Sequence, residues 1–156
     1  MRYLSIDYGN KITGLAICDT TETIVSPFAA LPTSDYLIGK IIEVIKTENV
    51  EALVLGLPFN MDDSIGPQAK KVQVFADKLE KLINVPVFFQ DERLSTFAAE
   101  GKLADWSSHR KRGKLVRSSD SEGGLTRKGK KRRIDALAAA EILQAFLDSK
   151  KATENT

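Results

Sequence analysis

Ala52-Leu53-Val54-Leu55 is an unbroken apolar run that ends in Gly56-Leu57-Pro58. Such a run places hydrophobic side chains on both faces of a strand, so each face needs its own covering layer. The segments around it supply those layers. Ile38, Ile41, Ile42 and Ile45 precede the run at helical spacing, behind a Pro32-Thr33-Ser34-Asp35 break that offers a helix cap. Val72, Phe75, Ala76, Leu79 and Leu82 follow it as a second apolar stripe, with Pro67 suited to that helix's first turn.

Upstream, Arg2–Ile6, Thr13–Cys18 and Ile24–Leu31 read as three short strands. So little chain separates the first two that they pair as antiparallel neighbours. Val85–Phe89 is a further apolar strand that runs into Gln90-Asp91-Glu92-Arg93. Ser95 or Thr96 can cap a third helix reaching about Asp105, and Ile134–Leu147 reads as a last one. Antiparallel strands followed by helix-linked strands predict an α/β domain with a mixed five-stranded sheet flanked by helices. With 156 residues, residues 1–149 are expected to form one domain and 150–156 a polar tail.

One cysteine, Cys18, excludes an internal disulfide, and one histidine, His109, excludes Cys/His zinc clusters and histidine-pair catalysis. Neither a signal peptide nor a membrane-spanning run is visible, so a soluble cytoplasmic protein is expected, with no membrane partner. Any catalysis must rest on carboxylates, hydroxyls, Lys/Arg or a metal.

The net charge of +2 hides an asymmetry. Ser107–Arg133 holds eleven Lys/Arg against Asp120 and Glu122, a balance of +9 that leaves −7 for the other residues. Its glycines and serines read as a mobile basic loop inserted at about 107–133. A basic segment on an acidic body points to a polyanionic partner, and Lys128, Lys130, Lys131, Arg132 and Arg133 are its densest cluster. The bland alternative is a solvated insert.

Three acidic positions fall at strand ends or a helix start, where sheets of this kind bind ligands. Asp7 ends the first strand ahead of Gly9; the competing reading is a hairpin turn whose Asp bonds its own backbone. Asp91 or Glu92 follows a strand end, where a desolvated carboxylate needs a cation or hydrogen bonds; otherwise the pair is a solvated turn. Asp135 shares a helical face with Ala138, Ala139, Ile142 and Phe146, an unusual place for an acid unless it only favours the helix dipole. Converging carboxylates repel one another unless divalent cations sit among them. Mg²⁺ and Mn²⁺ prefer such oxygen ligands, and one or two ions can serve phosphodiester hydrolysis without any histidine. Arg93 can clamp a phosphate or brace the acids. Ser95 and Thr96 read as caps rather than nucleophiles, because no base stands ready beside them. Cys18 and Trp106 read as packing residues.

Four stretches in this order resemble one family: Asp7-Tyr8-Gly9 with Gly14-Leu15-Ala16; Gly56-Leu57-Pro58 with Asn60-Met61-Asp62; Asp91-Glu92-Arg93-Leu94-Ser95-Thr96 with Ala99; and Ile134-Asp135-Ala136 with Ala138-Ala139 and Ile142-Leu143. The family is YqgF/RuvX, also called Holliday-junction-resolvase-like proteins or pre-16S rRNA nucleases. The resemblance implies a ribonuclease-H-like fold and a metal-dependent nuclease that leaves a 5′-phosphate and a 3′-hydroxyl. It maps Asp7, Glu92 and Asp135 onto the acidic site as catalytic residues and metal ligands, and it picks Glu92 over Asp91. It implies precursor rRNA of the small ribosomal subunit as substrate, with branched DNA as the alternative and a monomer or homodimer as the assembly. Asp63 stands where the family usually has glycine, and the link before the last helix is longer and more basic than the family leads one to expect.

Two readings from other classes compete. A non-catalytic RNA- or ribosome-binding module would use the basic segment but has no need of three acids. An ATPase of the actin and sugar-kinase type would account for Asp7-Tyr8-Gly9, yet needs a second such domain that 156 residues do not hold.

Overall fold

The computed structural model describes residues 1–59, 62, 64–92 and 127–155, giving only the backbone path for 127–135. The described elements are β1 (Tyr3–Asp7), β2 (Ile12–Cys18), β3 (Val25–Pro32), α1 (Leu37–Thr47), β4 (Ala52–Leu57), α2 (Pro67–Glu80), β5 (Val87–Asp91) and α3 (Arg127–Glu154). The strands form one sheet in the order β3-β2-β1-β4-β5. β2 pairs antiparallel with β1 and β3, whereas β1, β4 and β5 run parallel. This is the mixed five-stranded sheet that the pattern predicts.

β4 is buried along its whole length, as its apolar run requires. Leu53, Leu55 and Leu57 pack with Leu4 and Ile6 of β1 against Leu37 and Ile41 of α1 and Val72, Phe75 and Leu79 of α2. Val54 lies on the other face with Tyr3, Ala16 and Cys18, under Ala139, Ala140, Ile142 and Leu143 of α3. Alternation along a strand therefore sends Tyr3 and Ser5 toward α3 and Leu4 and Ile6 toward α1 and α2. Asp7 continues the first series, and Tyr8, packed against the α1/α2 core, continues the second.

α3 differs from its expected limits at both ends. It begins at Arg127 rather than Ile134, so Lys128, Lys130, Lys131, Arg132 and Arg133 lie on its opening turns and not in a loop. Lys and Arg are good helix formers, and one glycine, Gly129, costs only ~1 kcal/mol against alanine. At the other end the helix runs through the expected polar tail to Glu154. Lys150 is anchored there, donating to Glu22 at 2.9 Å and to the Tyr3 hydroxyl at 3.3 Å. The Glu22 hydrogen bond, with that to Tyr3, raises the Lys150 ammonium above its ordinary range. The buried stripe of α3 runs through Ala136, Ala139, Ala140, Leu143 and Leu147, while Ala138 is only half-buried.

β5 is also less covered than a wholly apolar strand suggests. It pairs on one side, with β4, and Phe88 and Phe89 remain 40% and 44% exposed. Leu82, expected on the α2 stripe, falls past the helix end and is exposed. Cys18 is buried and free, as expected of a core residue. The third helix expected to Asp105, with Trp106, and the remainder of the basic segment, with His109, lie outside the described residues. No helix among the described residues is long and apolar enough to cross a membrane.

Candidate active site

β1 and β5 flank β4 and run parallel to it, so their carboxyl ends reach the same edge of the sheet. Asp7 is the last residue of β1, and Glu92 directly follows β5. Phe88 turns toward α3, where its ring meets Tyr3 and Phe146. Val87 packs against the opposite core. Alternation then puts Glu92 on the α3 side with Asp7 and Asp91 on the other.

Gly56 of β4 opens the path between the two acids. A Cβ at this position would collide with Glu92 Oε1 and come within 2.5 Å of Ile142 Cδ1 on α3. The Glu92 carboxyl thus lies across the bare backbone of β4, beneath α3, and shares a hydrogen bond with Asp7. Burial, followed by the Asp7 charge, the Asp7 hydrogen bond and the Asp91 charge, pushes the Glu92 carboxyl up to about 7. Two acids pressed together and partly withdrawn from water favour sharing a proton or binding a cation.

Asp135 enters through the register of α3 on β1. Ser5 Oγ donates to the Ala139 carbonyl at 2.5 Å, and Lys150 reaches Tyr3 near the strand's start, so α3 runs antiparallel to β1. Stepping one turn back from Ala139 to position 135 advances about 6 Å along the helix. Stepping from Ser5 to Asp7 advances about 6.6 Å along the strand. The backbone at position 135 is therefore level with the Asp7 end of the sheet; the Asp135 side chain is outside the description. Among the described side chains, no group of three His, Cys, Asp or Glu is arranged to hold a metal ion. The structure thus brings Asp7 and Glu92 together and carries the Asp135 backbone toward them.

The β1–β2 turn is tight. A Cβ on Gly9 would strike the Ile12 carbonyl oxygen, and Thr33 closes the turn by donating its hydroxyl to the Gly9 carbonyl at 2.8 Å. Lys11 is exposed there, as a surface turn lysine should be. Arg93, Ser95, Thr96 and Asn60 lie outside the described residues, as do the side chains of the 128–133 cluster.

A family model described as RuvX, Holliday junction resolvase, matches residues 1–149. The chain belongs to the RuvX family. A protein of Caldanaerobacter subterraneus subsp. tengcongensis named "Putative pre-16S rRNA nuclease" is 39% identical over 154 residues, spanning 97% of this chain and 99% of its own. A Roseiflexus protein of the same name is 39% identical over 153 residues, 96% of each chain. Among solved structures, Thermus thermophilus RuvC in complex with a Holliday junction substrate superposes with a TM-score of 0.53 at 18% identity, covering 98% of this chain and 97% of RuvC. The fowlpox virus Holliday junction resolvase gives 0.53 at 15% identity, covering 96% and 99%. These two likenesses establish a fold shared with resolvases of the ribonuclease-H-like type. Membership of the RuvX family makes this chain a nuclease, a hydrolase of nucleic-acid phosphodiester bonds.

Sequence reasoning passed over two residues that build the site. Ser5 is a fully buried hydroxyl in β1, and its position between the apolar Leu4 and Ile6 is the available signal. Gly56 marks the end of an apolar run in the sequence, and its missing side chain is what admits Glu92.

Proposed function

We propose that this chain hydrolyses phosphodiesters in structured RNA, and that its substrate is the precursor of small-subunit ribosomal RNA in the cytoplasm. The observation that carries the reading is the partly buried, hydrogen-bonded Asp7–Glu92 carboxyl pair at the carboxyl ends of two parallel strands. The name of the RuvX relatives supports the choice of substrate.

The pair suits a divalent cation. Both donors are hard oxygens, and burial and the Asp7 charge raise the Glu92 carboxyl, a cost that a cation would relieve. Asp7, Glu92 and Asp135 would hold one or two Mg²⁺ or Mn²⁺ ions, whose chemistry is to polarise a phosphate and acidify water. The residues themselves have separable tasks. Gly56 keeps the floor of the site open, Ser5 fixes α3 above it, and Asp7 with Glu92 sets the local negative charge. Arg93 and the cluster Lys128, Lys130, Lys131, Arg132 and Arg133 would contact backbone phosphates without reading sequence. The acidic pair favours this enzyme reading over a non-catalytic ribosome-binding module, which needs no such pair.

The family description and the RuvC-like fold favour a second reading, cleavage of branched DNA. A resolvase cutting two strands symmetrically would act as a homodimer. The test is purified protein with Mn²⁺ or Mg²⁺, given precursor 16S rRNA fragments and a four-way DNA junction side by side. Cleavage of the RNA that Glu92→Gln abolishes is the expected result. Cleavage of the junction alone, by a dimer, would establish the second reading instead.

A further inference from the structure

On the opposite face of the sheet from the acidic pair lies a groove of about 670 Å³. It is walled by Tyr8 and Asn10 of the β1–β2 turn, by the β3–α1 connection, and by Lys70, Lys71, Val74 and Lys78 of α2. Its opening is one residue from Asp7, because Tyr8 turns to the groove where Asp7 turns to α3. The Tyr8 ring is stacked on Phe75 at 4.5 Å and so forms a fixed wall.

The charge of this groove is one-sided. Lys70, Lys71 and Lys78 line it against Asp35, the single acid in its lining among the described residues. Lys70, Val74 and Lys78 follow at intervals of four, which places them on one ridge of α2 about 12 Å long. None of the three lysines is in an ion pair among the described residues. Lys71 instead donates to Asn10 Oδ1 at 3.2 Å, which holds its ammonium beside the turn that carries Asp7. Lys11, exposed on the same turn, adds a cation between the two faces. No acid stands four residues from Lys70 or Lys78, so no i±4 pair neutralises them; the ridge instead presents Val74, 53% exposed, between the two.

We propose that the Lys70–Lys71–Lys78 groove is a second phosphate-binding track, which holds the sugar-phosphate backbone of the substrate strand after it has crossed the Tyr8–Lys11 turn from the acidic pair. The inference rests on the nuclease reading for the identity of the strand. Twelve ångströms of ridge is roughly the length of two or three successive phosphates along one strand, each able to meet a lysine. The groove's role is positioning: it lengthens the footprint and sets the direction in which the strand leaves the site.

The experiment measures binding and cleavage separately. Duplex RNAs of stepped length, each with a single-stranded end, are titrated against the full-length protein over a range of salt. The comparison is with Lys70→Gln/Lys71→Gln/Lys78→Gln and with Val74→Glu, which removes no lysine but sets an anion in the groove. Thermal melting confirms that both variants fold. Each phosphate contact contributes about 0.7–0.9 to the slope of log affinity against log salt, so the triple variant should flatten that slope by roughly 2–3. Val74→Glu should weaken the long RNAs at least several-fold. RNAs too short to pass the turn should bind all proteins alike. An unchanged slope in the triple variant, or no nucleic-acid binding by the wild type, overturns the proposal. Length-dependent binding that needs the lysines, without cleavage by the wild type, would uphold the track and sink the nuclease reading alone.

Discussion

Ser5 Oγ and the Ala139 carbonyl are 2.5 Å apart, and this hydrogen bond, together with Lys150 on Tyr3 and Glu22, fixes the register of α3 across β1. Both residues are fully buried, and they are separated by 134 positions of sequence. The bond matters because Asp7 lies two residues beyond Ser5 and Asp135 one helical turn before Ala139. Sliding α3 by a turn would carry position 135 away from Asp7.

Ser5→Ala should therefore cost stability modestly and activity more. A net hydrogen bond contributes about 0.5–1.5 kcal/mol, and the cavity left by a hydroxyl is small. Urea unfolding should show a loss in that range with an unchanged slope. Cleavage should fall mainly in the maximal rate and less in KM, since the substitution removes no cation and long lysine and arginine side chains tolerate a small shift of α3 that position 135 beside Asp7 does not. Equal losses in both quantities would mean that α3 does not position the acidic site.

Glu92 makes the metal-free protein sensitive to pH in an unusual direction. Its carboxyl is raised from 4.5 to about 7 by burial and by Asp7, so the folded state binds this proton more tightly than the unfolded chain. Stability is then greatest below about pH 4.5 as far as this group is concerned, and is lost as pH rises to about 7. Glu92→Gln should abolish that decline and be more stable than wild type at pH 8, by on the order of 1–3 kcal/mol. Denaturant titrations in chelator at pH 5 and pH 8 test this; a wild type whose stability rises between them by as much as the variant's would contradict the placement of Glu92.

How far the sequence could go is clear from these particular residues. The apolar run of β4 dictates a covering layer on each face, and the alternation of Tyr3, Ser5 and Asp7 against Leu4, Ile6 and Tyr8 assigns Asp7 to its side. Those are local, periodic signals. The lower end of α3 was not legible because Arg127–Arg133 carries the composition of a solvated loop, and composition cannot distinguish a charged helix from one. The contact between Glu92 and Gly56 was hidden for another reason: it joins neighbouring strands 36 positions apart in the chain, and nothing near either residue announces the other. The lysine groove joins a turn to a helix in the same non-local way.

Asp135 is expected to complete the cation site, as the resemblance to the family implies and the register of α3 supports. A divalent ion that binds only the folded state stabilises it in proportion to the logarithm of its concentration over Kd, about 2.7 kcal/mol at a hundredfold excess. Wild type should melt at progressively higher temperature as Mn²⁺ or Mg²⁺ is added at pH 8. Asp135→Asn should lose most of that shift together with cleavage, and it should still bind RNA with the wild-type salt slope. A full metal-induced shift in Asp135→Asn would show that the ion is held by Asp7 and Glu92 without it.

Gly56→Ala probes the floor of the site with one methyl group. The new Cβ meets the Glu92 carboxylate and stands 2.5 Å from Ile142 Cδ1, so either the carboxyl or the helix must move. The carboxyl is the flexible end of a side chain and Ile142 is fixed in a packed core, so Glu92 should yield first. Overpacking of this kind costs about 1–3 kcal/mol. Moving Glu92 away from Asp7 and toward water should also return its carboxyl toward the ordinary range. Gly56→Ala should then lose both cleavage and the decline in stability between pH 4.5 and 7 that Glu92 imposes. The double variant Gly56→Ala/Glu92→Gln should be no less active than the worse of the two single variants, because both act on one carboxyl group. Losses that multiply instead would mean that Gly56 acts through α3 and Ile142, and that Glu92 does not lie across the backbone of β4.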